Sequence, residues 1–308
     1  MKHDGDRTRC PRNLRCRRPG GCKKAGKVET VVLQLERRFL GRAPAESTCD
    51  ADRECPCGMR RPVEDHCQRS PARPSSSPAR VVVLGRFALV DGRGASIPVA
   101  NTTRRLLSFL ALRDRVVHRA SVAGALWPDV PESHAHASLR SSLMRIPNRA
   151  RSVITVTDSE LGLSDGVDVD FRNAQALAHR LLDDTLPWNE GDVSRATISK
   201  LAFDLLPGWH DEWVVPEAEE WRQLRLHALE ALTDHLAVQH RFGDATTAAM
   251  TAIKAEPLRE SAHAALIRVH LAENNQSEAF RQFERYQDLL RVALGIEPTT
   301  RLRELVGF

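Results

Sequence analysis

Apolar positions follow three successive rhythms along the chain. Up to Arg80 no period is sustained, and only Val28–Leu40 has the makings of an ordered element. From Val81 the pattern alternates. Val81–Leu84 and Phe87–Val90 predict two strands, Gly92 and Gly94 supply a turn after them, and Ile97–Val99 predicts a third short strand. The period then lengthens to that of a helix. Leu106, Leu107, Phe109, Leu110 and Leu112 predict a buried helix, with Asn101–Thr103 offering its cap. A second helix is predicted over His118–Trp127, with Val122, Leu126 and Trp127 inward and Pro128 as its stop. A third runs from Ser133, taken as its cap, to Arg145. On a 3.6-residue wheel Ala135, Leu139, Leu143 and Ile146 share one face, and Ala137, Ser141 and Met144 lie opposite, flanked by Arg140 and Arg145. Pro147 lacks a donor and clashes with the preceding turn, so the helix is expected to end or kink near Ile146. Alternation returns at Ile154 and Val156, turns at Asp158-Ser159, and resumes at Leu161 and Leu163, which predicts a hairpin.

Beyond that point the pattern is helical throughout. Helices are expected over Asp170–Asp184, Arg195–Leu206 and Pro216–Gln239. The segment Leu205–Val214 reads as a Pro/Gly-broken turn whose Trp209 and Trp213 pack helices together. Leu232, Ala245, Ala249 and Ala252 recur 34 residues later as Leu266, Ala279, Phe283 and Tyr286. Gly243 and Asn275 are read as the inner turns, with Pro257 and Pro298 closing the second helices. A 34-residue period is that of tetratricopeptide repeats.

A sheet, three helices and a hairpin, in that order, are the pattern of a winged helix. The expected fold is therefore an α+β winged helix followed by an all-α tetratricopeptide-like domain, behind a disordered tail. The boundaries are drawn at 1–79, 80–167 and 168–308. Arginines and small polar side chains on an exposed helix face suit a major groove, where Arg bonds guanine O6 and N7. Arg140, Ser141, Met144 and Arg145 are thus candidate DNA contacts, and Arg104 and Arg105 on the first helix are candidate phosphate contacts. The plainer reading of the same helix is an amphipathic element with solvated arginines.

Charge sharpens this picture. The net charge of +5 conceals an asymmetry. Residues 81–152 hold 11 Lys and Arg against 4 Asp and Glu, whereas residues 153–308 hold 15 against 26. A basic middle beside an acidic end fits a nucleic-acid surface next to a protein-interaction module. All 7 cysteines lie at or before Cys67, so no disulfide framework is expected in the main body and a cytoplasmic setting follows. Cys49, Cys55, Cys57, His66 and Cys67 do not have the spacing of a closed zinc site. The tail is rich in Arg, Pro, Gly and Cys and ends in a Pro/Ser linker. A second reading of it places the native start near Met59 or later. No apolar run approaches a membrane span, and no secretory signal opens the chain.

The stretch RLLSFLAL, then VAGALWPDV, HASLRSSLMRI, and GVDVD at Gly166–Asp170, resembles the bacterial regulators that contain a bacterial transcriptional activator domain. The Streptomyces antibiotic regulatory proteins are the best-known group. The later phrase Ala255–Pro298 is similar to the activator domain itself. The resemblance implies an OmpR-type winged helix with Arg140, Ser141 and Arg145 on its recognition helix. It also implies a loop from Trp127 to Ser133, including Asp129 and Glu132, that faces RNA polymerase. In that family the C-terminal helices support dimer or partner contacts. Pro147 departs from the pattern, since the recognition helix usually continues with basic residues; Arg149 and Arg151 stand where they can substitute.

No P-loop, H-E-x-x-H or G-x-S-x-G occurs, so neither nucleotide hydrolysis nor a common hydrolase chemistry is indicated, and no cofactor or metal is expected. The sequence therefore points to a non-enzymatic, sequence-specific DNA-binding transcriptional regulator, an activator, whose partners are double-stranded DNA, RNA polymerase and a second copy of itself. The competing reading is a helical scaffold whose winged helix binds protein. Whether the arginines of residues 81–152 gather on one face separates the two.

Overall fold

The computed structural model describes residues 79–307. The readings made for the tail, including the cysteines, Met59 and the Val28–Leu40 element, lie outside the described residues. Two small sheets frame the first third. In one, β1 (Arg80–Val82) pairs antiparallel with β2 (Ala88–Val90) and parallel with β6 (Asp168–Val169). In the other, β3 (Val117–His118) and β4 (Ile154–Val156) flank β5 (Glu160–Leu163). Three helices lie between them in the chain: α1 (Asn101–Ala111), α2 (Arg119–Leu126) and α3 (Glu132–Met144). A 3-10 helix, Asn148–Val153, leads from α3 into β4.

Helices then follow one another: α4 (Asp170–Leu181), α5 (Arg195–Leu201), α6 (Val215–Val238), α7 (Phe242–Ala255), α8 (Glu260–Ala272), α9 (Gln276–Ala293) and α10 (Thr300–Leu305). All eight residues of the 34-residue repeat are buried, one copy on α6–α7 and the other on α8–α9. Small alanines on α7 allow close packing against α6 and α8, and larger Phe283 and Tyr286 fill the corresponding space in the second copy. One hydrophobic core runs without interruption from Val81 and Leu106 through Leu139 and Phe171 to Trp221 and Val269.

Several local expectations are corrected. Ile97–Val99 is not a strand. A single bridge joins Ser96 to Val90, and Pro98 has no N–H to extend the ladder. Ala100 is the N-cap of α1, and no side chain caps it. Pro131, not Ser133, precedes α3, because Pro at a helix start loses nothing. α5 ends at Leu201 and does not reach Leu206, whose positive φ of 43° is not helical. Gly243 sits inside the first turn of α7, and the left-handed residues of the two inner turns are His240 and Asn274. β3, β6, the 3-10 helix and α10 are too short to leave a periodic signal.

Candidate nucleic-acid interface

The third helix, α3, is anchored by Ala135, Leu139 and Ser142, all at most 2% exposed. Ser142 donates its hydroxyl to Ser138 O at 2.9 Å, and its own carbonyl accepts Thr103 Oγ1 of α1 at 3.4 Å. These contacts fix the rotation of α3 and turn Ala137, Arg140 and Met144 to solvent. Met144 is 80% exposed. It is the last residue of the helix, with Arg140 and Arg145 exposed beside it. Glu132 begins the helix, where an acid favours the macrodipole, and its carboxylate lies 3.5 Å from His136 Nε2.

Arg145 is the C-cap residue, its N–H bonded to Ser141 O at 3.2 Å. The helix ends at Met144, one residue before the expected Arg145, because Pro147 cannot continue it, and the 3-10 helix redirects the chain. Arg149 and Arg151 are exposed on this new element. Among the described residues Arg140, Arg145 and Arg151 make no ion pair, whereas Arg149 lies close enough to Asp91 to help hold that carboxyl below the usual range, after the backbone N–H groups of Ala95 and Arg93 and the charge of Arg93. A groove of about 290 Å³ runs beside α3, lined by Thr102, Trp127, Ala137, Ser138, Ser141, Ser142 and Arg145.

The hairpin β4–β5 follows directly, as its pattern predicted. Its tip is fixed: Thr157 N–H donates to Glu160 O at 3.0 Å, and Arg119 Nη1 donates to Thr157 O at 3.2 Å. The loop between α2 and α3 exposes Asp129, Val130 and Pro131, while Trp127 is half-buried against the groove. Among the described residues no group of His, Cys, Asp and Glu is arranged to hold a metal, and no helix is long and apolar enough to cross a membrane.

Arg104 and Arg105 separate. Arg104 is exposed, its guanidinium 5.9 Å from the Phe87 ring centroid. Arg105 is taken out of the phosphate-contact set, because it hydrogen-bonds and ion-pairs with Asp211, 106 residues away. Neighbours in sequence on a helix point about 100° apart, so the two were never equivalent. Arg113 is likewise paired, with Glu217. The arginines of residues 81–152 thus divide: Arg140, Arg145, Arg149 and Arg151 stand on or just after α3, and Arg105 and Arg113 turn to the helical region.

Asp170 and Arg172, to which the sequence reading gave no contact, also shape this region. Asp170 accepts from Val83 N–H at 2.9 Å and Leu84 N–H at 3.1 Å, which orients the end of β1; burial raises its pKa against the pull of those bonds. Arg172 binds carbonyls at the end of α1. Only their long-range partners identify them.

Known proteins supply an independent comparison. Residues 163–307 match the model of the bacterial transcriptional activator domain. The regulatory protein AfsR of Streptomyces coelicolor is 28% identical over 216 residues, which is 66% of this chain and 21% of AfsR. The chain therefore spans about a fifth of the length of that relative. The structure of Mycobacterium tuberculosis EmbR in complex with a low-affinity phosphopeptide superposes with a TM-score of 0.55 at 22% identity, covering 74% of this chain and 64% of that one. This last likeness is one of fold.

Proposed function

We propose, from the match of residues 163–307 to the model of the bacterial transcriptional activator domain, that the chain is a sequence-specific DNA-binding transcriptional regulator, an activator. Residues 80–167 act as an OmpR-type winged helix, with α3 as the recognition helix and β4–β5 as the wing. Residues 168–308 act as a tetratricopeptide-like partner module that contacts other proteins or a second copy of the chain. The observation that carries this reading is the face of α3: unpaired Arg140 and Arg145 around Met144, which is 80% exposed. Arg140 and Arg145 supply base or phosphate contacts, Ala137 and Ser141 allow close approach, and Met144 meets apolar groove edges such as the thymine methyl. Arg104 contacts phosphate. The loop of Trp127, Asp129 and Glu132 faces RNA polymerase.

The scaffold reading accounts for a bare Met144 as a protein contact, but it leaves the unpaired arginines beside it without a partner. Mapping the chain on the genome of its host distinguishes the two. A regulator occupies a limited set of sites next to promoters, sharing one motif; occupancy without a shared motif overturns the reading.

A further inference from the structure

A stripe spaced by four residues, running from α1 to just past its C-cap, reads Arg105, Phe109, Arg113. The turn leading into α6 and the start of that helix answer it in kind. Arg105 pairs with Asp211 and Arg113 with Glu217, and Phe109 meets Trp213 edge-on with ring centroids 5.3 Å apart. Arg113 also lies 4.9 Å over the Phe109 ring. A cation–aromatic–cation stripe thus faces an acid–aromatic–acid stripe.

The far end of α1 is held in a second way. Its last turn contains no basic residue of its own, and its terminal carbonyls have no intrahelical donors. Arg172 of α4 supplies them from about sixty residues away: Nε donates to Ala111 O at 3.1 Å, and Nη2 donates to Leu110 O at 3.0 Å and to Arg113 O. A cation at this end also favours the helix dipole. At the opposite end of the same helix, Thr103 Oγ1 holds Ser142 O of α3. An 11-residue helix is a stiff rod of about 16 Å. What fixes its C-terminal half therefore fixes where α3 stands.

We infer that the helical region positions α3 through α1, with Arg172 and the Asp211–Trp213–Glu217 stripe as positioning residues, so that the DNA-reading helix is set by residues that touch no DNA. The positioning stands whether or not α3 reads DNA. Its consequence for recognition rests on the proposed function.

The test uses the full chain without DNA, followed by hydrogen exchange with peptide resolution. Arg172→Gln removes the cap. Glu217→Arg places a second cation beside Arg113, and the double change Arg113→Glu with Glu217→Arg restores an opposite pair. Hydrogen bonds to charged groups are strong, so both single changes lower protection of α1 and α3 peptides about tenfold or more, while α7 and α8 keep theirs. The charge swap recovers most of the protection, a recovery that a general loss of stability does not give. The same variants lower the ratio of cognate to scrambled duplex binding, since a misplaced α3 keeps its non-specific phosphate attraction. Unchanged α1 and α3 protection in both single variants overturns the inference, as does an equal loss over α7 and α8. Lowered protection with an unchanged binding ratio upholds the positioning and counts against α3 as the reader.

Discussion

At the scale of single residues, direction matters more than identity. Arg104 and Arg105 are the same residue type one position apart, yet Arg104 is exposed and Arg105 is bound to Asp211. The helical wheel separates the two side chains, but the identity of the partner is invisible without the fold. The comparison of interest is therefore Arg145 with Arg104. Arg145 stands at the edge of the α3 face, so Arg145→Ala is expected to cost about 1–3 kcal/mol on a cognate duplex and relax preference at one position. Arg104→Ala is expected to weaken cognate and scrambled duplexes alike and reduce the salt slope by about one. Titrations of both duplexes over a salt series measure this. Equal losses everywhere make Arg145 a phosphate contact only.

A buried histidine gives a prediction of another kind. His263 is 3% exposed, stacked at 4.2 Å on Tyr286. Its Nε2 lies 2.9 Å from Pro257 O, and its Nδ1 lies 2.7 Å from the Gln282 amide. The neutral ring satisfies both, donating from Nε2 and accepting at Nδ1. Burial, the main cause, pushes its pKa down to about 4 from 6.5, and the same burial pushes the Tyr286 hydroxyl up to about 12. The unfolded state then binds the proton first as pH falls, so stability is full above about 6.5 and is lost progressively toward about 4. Melting temperature should fall over that window, and His263→Gln should flatten the dependence. A slope of the same size in His263→Gln excludes His263 as its source.

At the scale of elements, periodic signals were legible and short ones were not. The α1 to α3 region shows this well. Leu106, Leu107, Leu110, Leu139 and Ile146 are buried as their spacing predicts, and Pro147 ends α3 as its chemistry requires. The hairpin β4–β5 lies where alternation put it. In contrast β6 has two residues and is defined by β1, eighty-eight positions earlier, so no local pattern encodes it. The helix starts were misread at Asn101 and Ser133 because side-chain caps are a preference, and Ala100 and Pro131 serve without them. The candidate site divides the same way: the α3 face was readable from the wheel, while the groove with Thr102 and Trp127 needed the packing of α1 on α3.

The loop before α3 carries its own prediction. Asp129 is exposed and makes no ion pair among the described residues, so Asp129→Ala is expected to lower activated transcription in a purified polymerase assay while leaving duplex affinity unchanged. Glu132→Ala removes an acid from the first turn of α3, which costs about 0.3–1 kcal/mol of helix stability, and so is expected to disturb both readouts slightly. A fall in DNA affinity for Asp129→Ala matching the fall in transcription makes the loop part of the DNA interface.

At the scale of the molecule, the basic-middle and acidic-end asymmetry read from composition has a structural counterpart. Part of it is internal: Arg105 and Arg113 meet Asp211 and Glu217 across the junction of the two regions. Of the rest, Arg140, Arg145, Arg149 and Arg151 stand on or just after α3, and Arg86, Arg93, Arg104, Arg115 and Arg119 lie before it in the chain. The boundary at 167/168 falls just before β6, a strand of the first sheet, and the pairing of β6 with β1 and the bonds of Asp170 to Val83 and Leu84 tie the helical region to that sheet. No sequence pattern announces a joint of this kind, because each half of every contact is an ordinary surface residue until the other half is placed beside it.

The central claim is that the exposed face of α3 reads a defined DNA sequence, and selection from a random duplex library tests it most directly. The full chain and its Arg140→Ala and Met144→Ala variants are taken through the same rounds, and the enriched duplexes are sequenced. The account predicts one motif for the unaltered chain, with each variant relaxing preference at one or two adjacent positions and leaving the rest intact. Failure of the unaltered chain to enrich any motif, or an identical motif from all three proteins, contradicts it.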